Sequence, residues 1–372
     1  MPWLRAASHE QEEANVNVTC VVGARPNFVK IAPIMAELAK RGADRRLVHT
    51  GQHYDFEMSA SFFADLDLPK PDADLGIGSG THAVQTGTAM MGLEKEFQQN
   101  TPDVVVVVGD VNSTLAAALA AVKLHIKVAH VEAGYRSGDF SMPEEVNRLV
   151  VDQISQLLLA PTPDAVENLA KEGVVGEHVV FVGNVMAETL LRNLHKVKAR
   201  ANYAELGLTA GEYALATIHR AENTDDECRL RAICEGFHYS SVPIVWPLHP
   251  RTKKKLEEFK LIEDLATRVK LTEPMAYLDL LNVMANARLV LTDSGGVQEE
   301  SCMLGVPCLT LRDNTERRLT VDVGANRLVP IDRREIIAAI ERIKNGKYPA
   351  WSAPEKWDIE VSSRIVDALA LL

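Results

Sequence analysis

Five consecutive valines, at 104–108, restrict the fold of this chain more than any other segment. A strand that is apolar on both faces is typical of the middle of a parallel sheet that helices cover on both sides. The valines end at a glycine followed by Asp110, and an alanine-rich helix with Asn112 near its start comes next. The segment therefore predicts an α/β fold and places Asp110 at the carboxyl end of a central strand.

The same alternation of a short apolar strand and an amphipathic helix recurs along the chain. Strands are predicted at 16–22, 46–50, 104–108, 128–131 and 178–182 in the first half, and at 214–218, 244–247, 269–271 and 289–291 in the second. This alternation predicts an α/β fold with two doubly wound, Rossmann-like domains that face a central cleft. We expect an N-terminal extension at 1–15, a first domain at 16–188, a second domain at 189–357, and a last helix at 358–372 that packs back on the first domain.

The composition argues against several classes of function. A net charge of −11 in 372 residues provides no basic stripe for nucleic acid. No apolar run is long enough for a membrane span, and the polar residues 1–15 do not resemble a signal peptide, so we expect a cytoplasmic protein without a membrane partner. The five cysteines lack metal-ligand spacing, which predicts reduced thiols and no metal site.

A glycine-rich stretch at 76–80 superficially resembles a nicotinamide-binding fingerprint. No strand is predicted directly before these glycines, and that fingerprint requires one. We therefore interpret the stretch as a loop that enters a helix at 83–98, and we expect no cofactor.

Acidic side chains follow two consecutive strands of the first half. Glu132 ends the apolar strand 128–131, as Asp110 ends the valine strand. If these strands are neighbours, both carboxylates face one crevice at the sheet edge where α/β proteins bind ligands. The loop that follows carries Arg136, and Glu144 lies in the first turn of the next helix, where an acid can also serve the helix dipole alone.

Phosphate-binding features follow the strands of the second half. The loop 294–296 contains two glycines, and the helix predicted to begin near Val297 points its positive end at the same place. Glu300 is placed to accept hydrogen bonds from ribose hydroxyls, and His219 and Arg220 end another strand. Glycines at such a turn also serve packing alone, so both interpretations stay open.

The first two strands also end in polar residues. Arg25 and Lys30 lie near the start of the first helix, and Gln52 and His53 follow the second strand. In a parallel sheet all four residues lie at the same edge as Asp110.

Taken together, these strand ends resemble one family, the non-hydrolysing UDP-N-acetylglucosamine 2-epimerases, whose two-domain fold is glycosyltransferase-B-like. The matching residues extend from about residue 16 to the C-terminus. The segments are GARPNFVK (23–30), TGQHYD (50–55), GDVNSTLAAALAA (109–121), HVEAGYRSGD (130–139), MPEEVNR (142–148), GNVM (183–186), HRAEN (219–223), TDSGGVQEES (292–301), LGVP (304–307) and LRDNTER (311–317).

The resemblance implies an enzyme that acts on a UDP-sugar and forms a homodimer. Bacterial members bind a second substrate molecule as an activator near the GQH segment, which makes Gln52 and His53 a possible activator site. The positions that match catalytic residues of the family are Asp110, Glu132, Glu144 and His219.

The resemblance also implies a set of substrate contacts. From their places after two strands we add Arg136 and Arg220 as substrate-binding cations, with Arg220 near the diphosphate. The positions that match nucleotide-sugar contacts of the family are Arg25, Lys30, Ser294, Gly295, Gly296, Glu300 and Arg317.

The chemistry of the implied reaction favours elimination. The hydrogen at C2 of an N-acetylhexosamine is not next to a ring carbonyl, so an enzyme must either oxidise C3 with a nicotinamide or expel the C1 nucleotide to form a glycal. The chain has carboxylates for proton transfer and a diphosphate cradle. We therefore predict that UDP-GlcNAc and UDP-ManNAc interconvert by elimination of UDP to a 2-acetamidoglucal and re-addition with inversion at C2. Which of Asp110, Glu132 and Glu144 acts on which face stays open.

Three alternatives also stay open: a 2-epimerase of a modified UDP-sugar such as UDP-2,3-diacetamido-glucuronate, a glycosyltransferase, or a non-catalytic UDP-sugar sensor. The chain departs from the family pattern at Arg318 and Leu319, and at Leu280, where an aromatic residue that packs on uracil is common. Arg318 is either a solvated arginine or a contact for a sugar carboxylate.

Overall fold

The first lobe of the protein is built on a parallel sheet. The computed structural model describes residues 16–51 and 63–372, with the backbone alone at Arg25. The strands of this sheet are β1 (Val18–Val22), β2 (Arg45–His49), β3 (Ala73–Asp74), β4 (Val104–Val108), β5 (Lys127–Val131), β6 (Leu157–Ala160) and β7 (Val179–Phe181). Their order is β3-β2-β1-β4-β5-β6-β7, and all the pairings are parallel.

The valine strand β4 lies at the centre of this sheet, as predicted. Helices cover both faces: α1 (Arg25–Lys40), α2 (His82–Gln99), α3 (Asn112–Lys123), α4 (Pro143–Ile154), α5 (Pro163–Lys171) and α6 (Val185–Lys198). Val104, Val106 and Val108 pack with the apolar face of α1, whereas Val105 and Val107 pack with the alanines of α3. Burial on both sides therefore explains why this strand has no polar position.

The second lobe repeats the design with a shorter sheet. Its strands are β8 (Ala214–Thr217), β9 (Ile244–Pro247), β10 (Val269–Thr272), β11 (Leu289–Thr292), β12 (Cys308–Thr310) and β13 (Asn326–Leu328), in the parallel order β10-β9-β8-β11-β12-β13. Its helices are α7 (Asn202–Glu205), α8 (Ala221–Thr224), α9 (Glu227–His238), α10 (Pro250–Glu258), α11 (Ile262–Leu265), α12 (Tyr277–Ala285), α13 (Gly295–Leu304), α14 (Arg318–Asp322) and α15 (Arg333–Lys344).

The prediction that no strand precedes the glycine-rich stretch 76–80 was wrong. The short edge strand β3 comes just before it, and only Ala73 and Asp74 pair there, with Val48 and His49 of β2. The helix after the stretch begins at His82 with Thr81 as its N-cap, so the stretch itself is a loop. The helix predicted to begin near Val297 begins two residues earlier, at Gly295.

The carboxyl ends of both sheets border one cleft of about 1100 Å³. Lys30, Asp110 and Glu144 line it from the first lobe, and His219 and Gly295 line it from the second. This arrangement confirms the predicted architecture of two Rossmann-like units around a central cleft.

The last helix, α16 (Val361–Leu369), returns to the first lobe. Val361 and Ile365 are fully buried and belong to the same hydrophobic core as α1 and α6. The domain borders at 188 and 189 stay a prediction, since α6 runs without a break through both positions.

A buried carboxylate fixes the start of α16. Glu188 of α6 accepts hydrogen bonds from the backbone N–H of Ser362 at 2.6 Å and from its hydroxyl at 2.7 Å, and it also pairs with Arg192. Burial raises the pKa of Glu188, although the bonds from Ser362 and the charge of Arg192 oppose that rise. Each of these bonds therefore compensates part of the cost of burying a charged group.

We expect Ser362→Ala to lower the free energy of unfolding by about 1–2 kcal/mol, because a buried hydrogen bond to a charged group is lost. Ser363→Ala provides a matched control on the same helix, since its hydroxyl contacts Arg41 at a partly exposed position. The control should cost less than about 0.5 kcal/mol. Urea denaturation of both variants measures the difference, and equal values would contradict the role assigned to the Glu188–Ser362 contact.

Candidate active site

Asp110 begins the loop after β4 and lies in the cleft as an ionised carboxylate. Its side chain pairs with Arg148 of α4, and its backbone carbonyl accepts a hydrogen bond from Asn147 at 2.8 Å. Burial alone would raise the pKa of Asp110, but the charges of Arg148, Lys30 and Arg317 lower it below its ordinary value. The carboxylate is therefore held in the form that can accept a proton.

Glu132 lies at the end of β5 in a strained conformation. Its φ of 72° is in the left-handed region, which a residue with a side chain rarely adopts. The side chain is buried, and its Oε2 accepts a hydrogen bond from Lys30 at 2.5 Å, with Arg317 at 3.9 Å. Backbone strain of this kind is retained where the surrounding structure fixes it, and it concentrates at functional sites.

The first turn of α4 contains two acids with different environments. Glu144 is partly exposed and lines the cleft. Glu145 is buried, pairs with Arg148 at 2.6 Å and accepts backbone N–H groups from Ser137 and Gly138. Burial opposes ionisation of Glu145, but these partners bring its pKa below the ordinary value. Glu145 therefore supports the loop, whereas Glu144 is available to a ligand.

A buried aspartate orients the cleft residues after β8. Asp293 accepts hydrogen bonds from the backbone N–H groups of His219 and Arg220 and from the side chain of Asn223. The ring of His219 stays 44% exposed, with Nδ1 at 3.4 Å from Asp293. Arg220 pairs with Glu316 at 3.2 Å. The histidine is therefore fixed at its backbone but open to the cleft.

The helix α13 directs its positive end at the cleft. A side chain at Gly295 would place its Cβ at 2.8 Å from Glu316 and 3.4 Å from Arg317. A residue with a side chain at this position would therefore push the Glu316 carboxylate away from the helix start. Ser294, Gly295 and Gly296 all line the cleft, where backbone N–H groups and the helix dipole favour an anion.

Arg317 joins the two lobes in the floor of the cleft. Its guanidinium lies 2.9 Å from Glu299 and 4.0 Å above the ring of Tyr135. Glu299 also accepts hydrogen bonds from Tyr135 at 2.8 Å and from Asn184 at 2.7 Å, both in the first lobe. Burial and the charge of Glu132 raise the pKa of Glu299, while Arg317 opposes the rise. Glu299 was not among the predicted site residues; the helical phase that separates it from Glu300 is the signal in the sequence that could have indicated it.

The structure does not bring Arg136 to the cleft, contrary to the prediction. Its guanidinium is 2.7 Å from the buried Asp152 and 2.7 Å from Glu172, and it is not among the residues that line the cleft. The physical reason is that a carboxylate with no solvent access needs a cation beside it.

Most of the other predicted residues lie in the lining of the cleft. Gln52 and His53 lie outside the described residues, and so does the side chain of Arg25. Glu132 lies below the lining, in contact with Lys30. Predicted residues in the lining itself are Lys30, Asp110, Glu144, His219, Arg220, Ser294, Gly295, Gly296, Glu300 and Arg317.

Two further findings concern residues 16–51 and 63–372 alone. None of the helices in these ranges has the length and apolarity to cross a membrane. The same ranges contain no group of three or more histidine, cysteine, aspartate or glutamate side chains arranged to hold a metal ion.

The fold and the cleft define a glycosyltransferase-B-like protein with two Rossmann-like lobes. The structure of Phytolacca americana UGT2 shares this fold at 11% identity and a TM-score of 0.57, over 95% of this chain and 94% of that one. A family model described as UDP-N-acetylglucosamine 2-epimerase matches residues 36–370. The chain belongs to the UDP-N-acetylglucosamine 2-epimerase family.

Two relatives show how close this similarity is. The UDP-N-acetylglucosamine 2-epimerase of Methanocaldococcus jannaschii is 46% identical over 348 residues, 91% of this chain and 95% of the relative. A crystal structure of the M. jannaschii enzyme in complex with UDP-GlcNAc and UDP has a TM-score of 0.90 at 44% identity, and covers 96% of this chain and 100% of that one. The UDP-2,3-diacetamido-2,3-dideoxy-D-glucuronate 2-epimerase of Pseudomonas aeruginosa is 41% identical, over 96% of this chain and 100% of the relative.

Glu300 gives the site a measurable pH dependence. Burial raises the pKa of its carboxyl to about 8, although a hydrogen bond with Tyr277 opposes the rise. The folded protein therefore holds this proton more tightly than the unfolded chain. Its stabilising effect is complete at low pH and is lost as the pH rises from about 4.5 to about 8.

We expect the ligand-free wild type to lose free energy of unfolding relative to Glu300→Gln across this pH range. The loss should approach about 1.4 kcal/mol per pH unit at its steepest. Urea denaturation of both proteins at a series of pH values measures the difference directly. If the difference in free energy of unfolding between the two proteins stayed constant with pH, Glu300 would have the same pKa in the folded and the unfolded protein.

Proposed function

We propose that this protein is a non-hydrolysing UDP-N-acetylglucosamine 2-epimerase that interconverts UDP-GlcNAc and UDP-ManNAc. The observation that carries the proposal is the placement of Asp110 in the lining of the cleft that also contains the positive end of α13, with Glu132 buried beneath it after the neighbouring strand. Carboxylates suited to proton transfer therefore lie near the proposed site of the departing diphosphate. The similarity to the M. jannaschii enzyme, whose crystal structure contains UDP-GlcNAc and UDP, supports this substrate.

The reaction proceeds by elimination and re-addition. A carboxylate takes the proton from C2, the C2–H electron pair forms the C1=C2 double bond, and the C1–O bond breaks with its electrons going to UDP. UDP then adds back to C1 of the 2-acetamidoglucal while an acid delivers a proton to the opposite face of C2. The positive groups at Arg317, Arg220 and the start of α13 stabilise the charge that develops on UDP.

The acid and base roles fall to three carboxyl groups. Asp110, Glu132 and Glu144 are the candidates for proton transfer. His219 is open to the cleft and lies beside Arg220, close to the proposed diphosphate site.

The charge of the cleft favours a neutral sugar over a sugar acid. A uronate substrate, as named for the P. aeruginosa relative, brings one more carboxylate that needs a cation. Arg318 is exposed and does not line the cleft. Among the described residues, the arginine and lysine side chains of the lining already have carboxylate partners: Lys30 with Glu132, Arg148 with Asp110, Arg220 with Glu316, Arg251 with Asp225 and Arg317 with Glu299.

The family resemblance adds expectations about the assembled protein. We propose that it is a cytoplasmic homodimer, that it needs no cofactor, and that Gln52 and His53 take part in an activator site. Light scattering on the purified protein tests the dimer.

We expect proton NMR of the protein with UDP-GlcNAc in deuterated water, without acceptor or cofactor, to show UDP-ManNAc with deuterium at C2. Exchange with solvent follows because the proton removed from C2 is not the one returned. A substrate that binds by saturation transfer but stays unchanged would contradict epimerase activity. Turnover of UDP-2,3-diacetamido-glucuronate alone would instead identify the modified sugar as the substrate.

We expect Asp110→Asn and Glu132→Gln to lower kcat by about 10²–10⁴, because each removes a group proposed for proton transfer. Asp139→Asn is a matched control from the loop before α4, since Asp139 contacts Ser141 and does not line the cleft. The rate of UDP-ManNAc formation from UDP-GlcNAc is measured for all three variants. Full activity in both of the first two variants would exclude the proposed roles.

A further inference from the structure

His130 is an imidazole in the middle of the first lobe that the proposed reaction does not use. It belongs to β5, and its side chain has no solvent access. Nδ1 lies 2.6 Å from Oδ1 of Asp152, and Nε2 lies 2.8 Å from the carbonyl oxygen of Gly109. A carbonyl oxygen only accepts hydrogen bonds, so Nε2 carries a proton and donates it to Gly109.

The residue that receives this hydrogen bond directly precedes Asp110. Gly109 has a φ of 69°, which makes the chain turn sharply at the end of β4. Its N–H donates to the carbonyl of Val131 at 3.0 Å, while its carbonyl accepts from His130. Both peptide groups of the turn are therefore held by β5, and the direction in which Asp110 leaves the strand is set by them.

The helix α4 supports the same turn from the other side. Asn147 donates to the carbonyl of Asp110, Arg148 pairs with the Asp110 carboxylate, and Asp152, one turn later, accepts from His130. These three residues are all buried on the face of α4 that meets the sheet. The helix α4 thus holds both the side chain and the backbone of Asp110. It also holds His130, which fixes Gly109.

Asp152 is itself held by a chain of contacts that reaches the surface. Its Oδ2 accepts from the N–H of Gly134 at 3.0 Å and pairs with Arg136 at 2.7 Å, and Arg136 pairs with Glu172. Burial opposes ionisation of Asp152, but His130 and Arg136 lower its pKa below the ordinary value. An apolar side chain would fill β5 without these costs, so filling space does not account for a buried histidine and aspartate.

We propose that His130 is a positioning residue for Asp110, and that Asp152 orients its ring so that Nε2 fixes the peptide between Gly109 and Asp110. The inference rests on the proposed function, because Asp110 is assigned to proton transfer there. Catalytic groups displaced by about 1 Å can lose about 10² in rate, so a small rotation of this peptide matters for kcat.

Two substitutions separate the contacts of the ring. The amide nitrogen of glutamine stands as many bonds from Cα as Nε2 of histidine, whereas that of asparagine stands as many bonds as Nδ1. His130→Gln can therefore keep the donor to Gly109, and His130→Asn can keep only a contact with Asp152. Both replace a buried ring by an amide, but asparagine is one methylene smaller than glutamine and leaves the larger cavity, so the stability of each variant has to be measured with its kinetics.

We expect His130→Asn to lower kcat about 10²-fold with KM changed less than about threefold, and His130→Gln to recover most of that loss. Glu172→Gln, at the outer end of the chain of contacts, should leave both constants unchanged. The thermal unfolding temperature of the same three variants is measured together with the kinetics. Equal losses of kcat in the two His130 variants, proportional to their loss of thermal stability, would overturn the proposal.

A second measurement needs no variant. Nitrogen-detected NMR of the histidine side chains in the wild type should show a proton on Nε2 of His130 and a coupling across its hydrogen bond to Gly109. An Nε2 without a proton would overturn the proposal even if the kinetics agreed. If the wild type did not epimerise UDP-GlcNAc, the proposed function would fail instead, and this spectrum would still decide whether His130 holds the turn.

Discussion

Charges buried in the floor of the cleft need partners, and this requirement determines much of the structure around them. A buried ion pair is tolerated when each group is matched by an opposite charge or by hydrogen bonds. Glu132 has Lys30 at 2.5 Å, and Glu299 has Arg317 at 2.9 Å. The two pairs are linked, since Arg317 also lies 3.9 Å from Glu132. Substitution of one of these residues would therefore leave a buried charge without its partner.

The same cluster holds the lobes together at the point where a ligand is proposed to bind. Tyr135 and Asn184 of the first lobe and Arg317 of the second all contact one carboxylate, that of Glu299 in the second lobe. A diphosphate at the start of α13 would lie beside a guanidinium that already contacts both lobes. Binding and the relative position of the lobes thus depend on a common set of charges.

Much of this architecture could be predicted from the sequence. The valines of β4 have no polar position because both faces of the strand are covered, and this pattern predicts a central strand without any knowledge of its neighbours. Asp110 and Glu132 follow strands, so the geometry of a parallel sheet brings them to one edge. The local sequence is sufficient to predict a site residue wherever the residue directly follows a strand of the parallel sheet.

Other features depend on contacts between segments that are distant in the chain, and the spacing of residues in the sequence does not reveal such contacts. Arg136 was predicted to meet the substrate because it follows a strand, but its partner Asp152 lies on a helix face that becomes visible only after packing. Glu299 and Glu300 are adjacent in sequence, yet one contacts Arg317 and the other Tyr277. The short strand β3 has too few residues to show a period.

The return of α16 to the first lobe has a consequence for biosynthesis. Val361 and Ile365 complete a core that begins with α1, yet the whole second lobe lies between them in the chain. During translation the groove beside α1 stays open until the ribosome has passed the second lobe. Although domains commonly fold in the order of their synthesis, the first lobe here cannot complete its packing until α16 has been made.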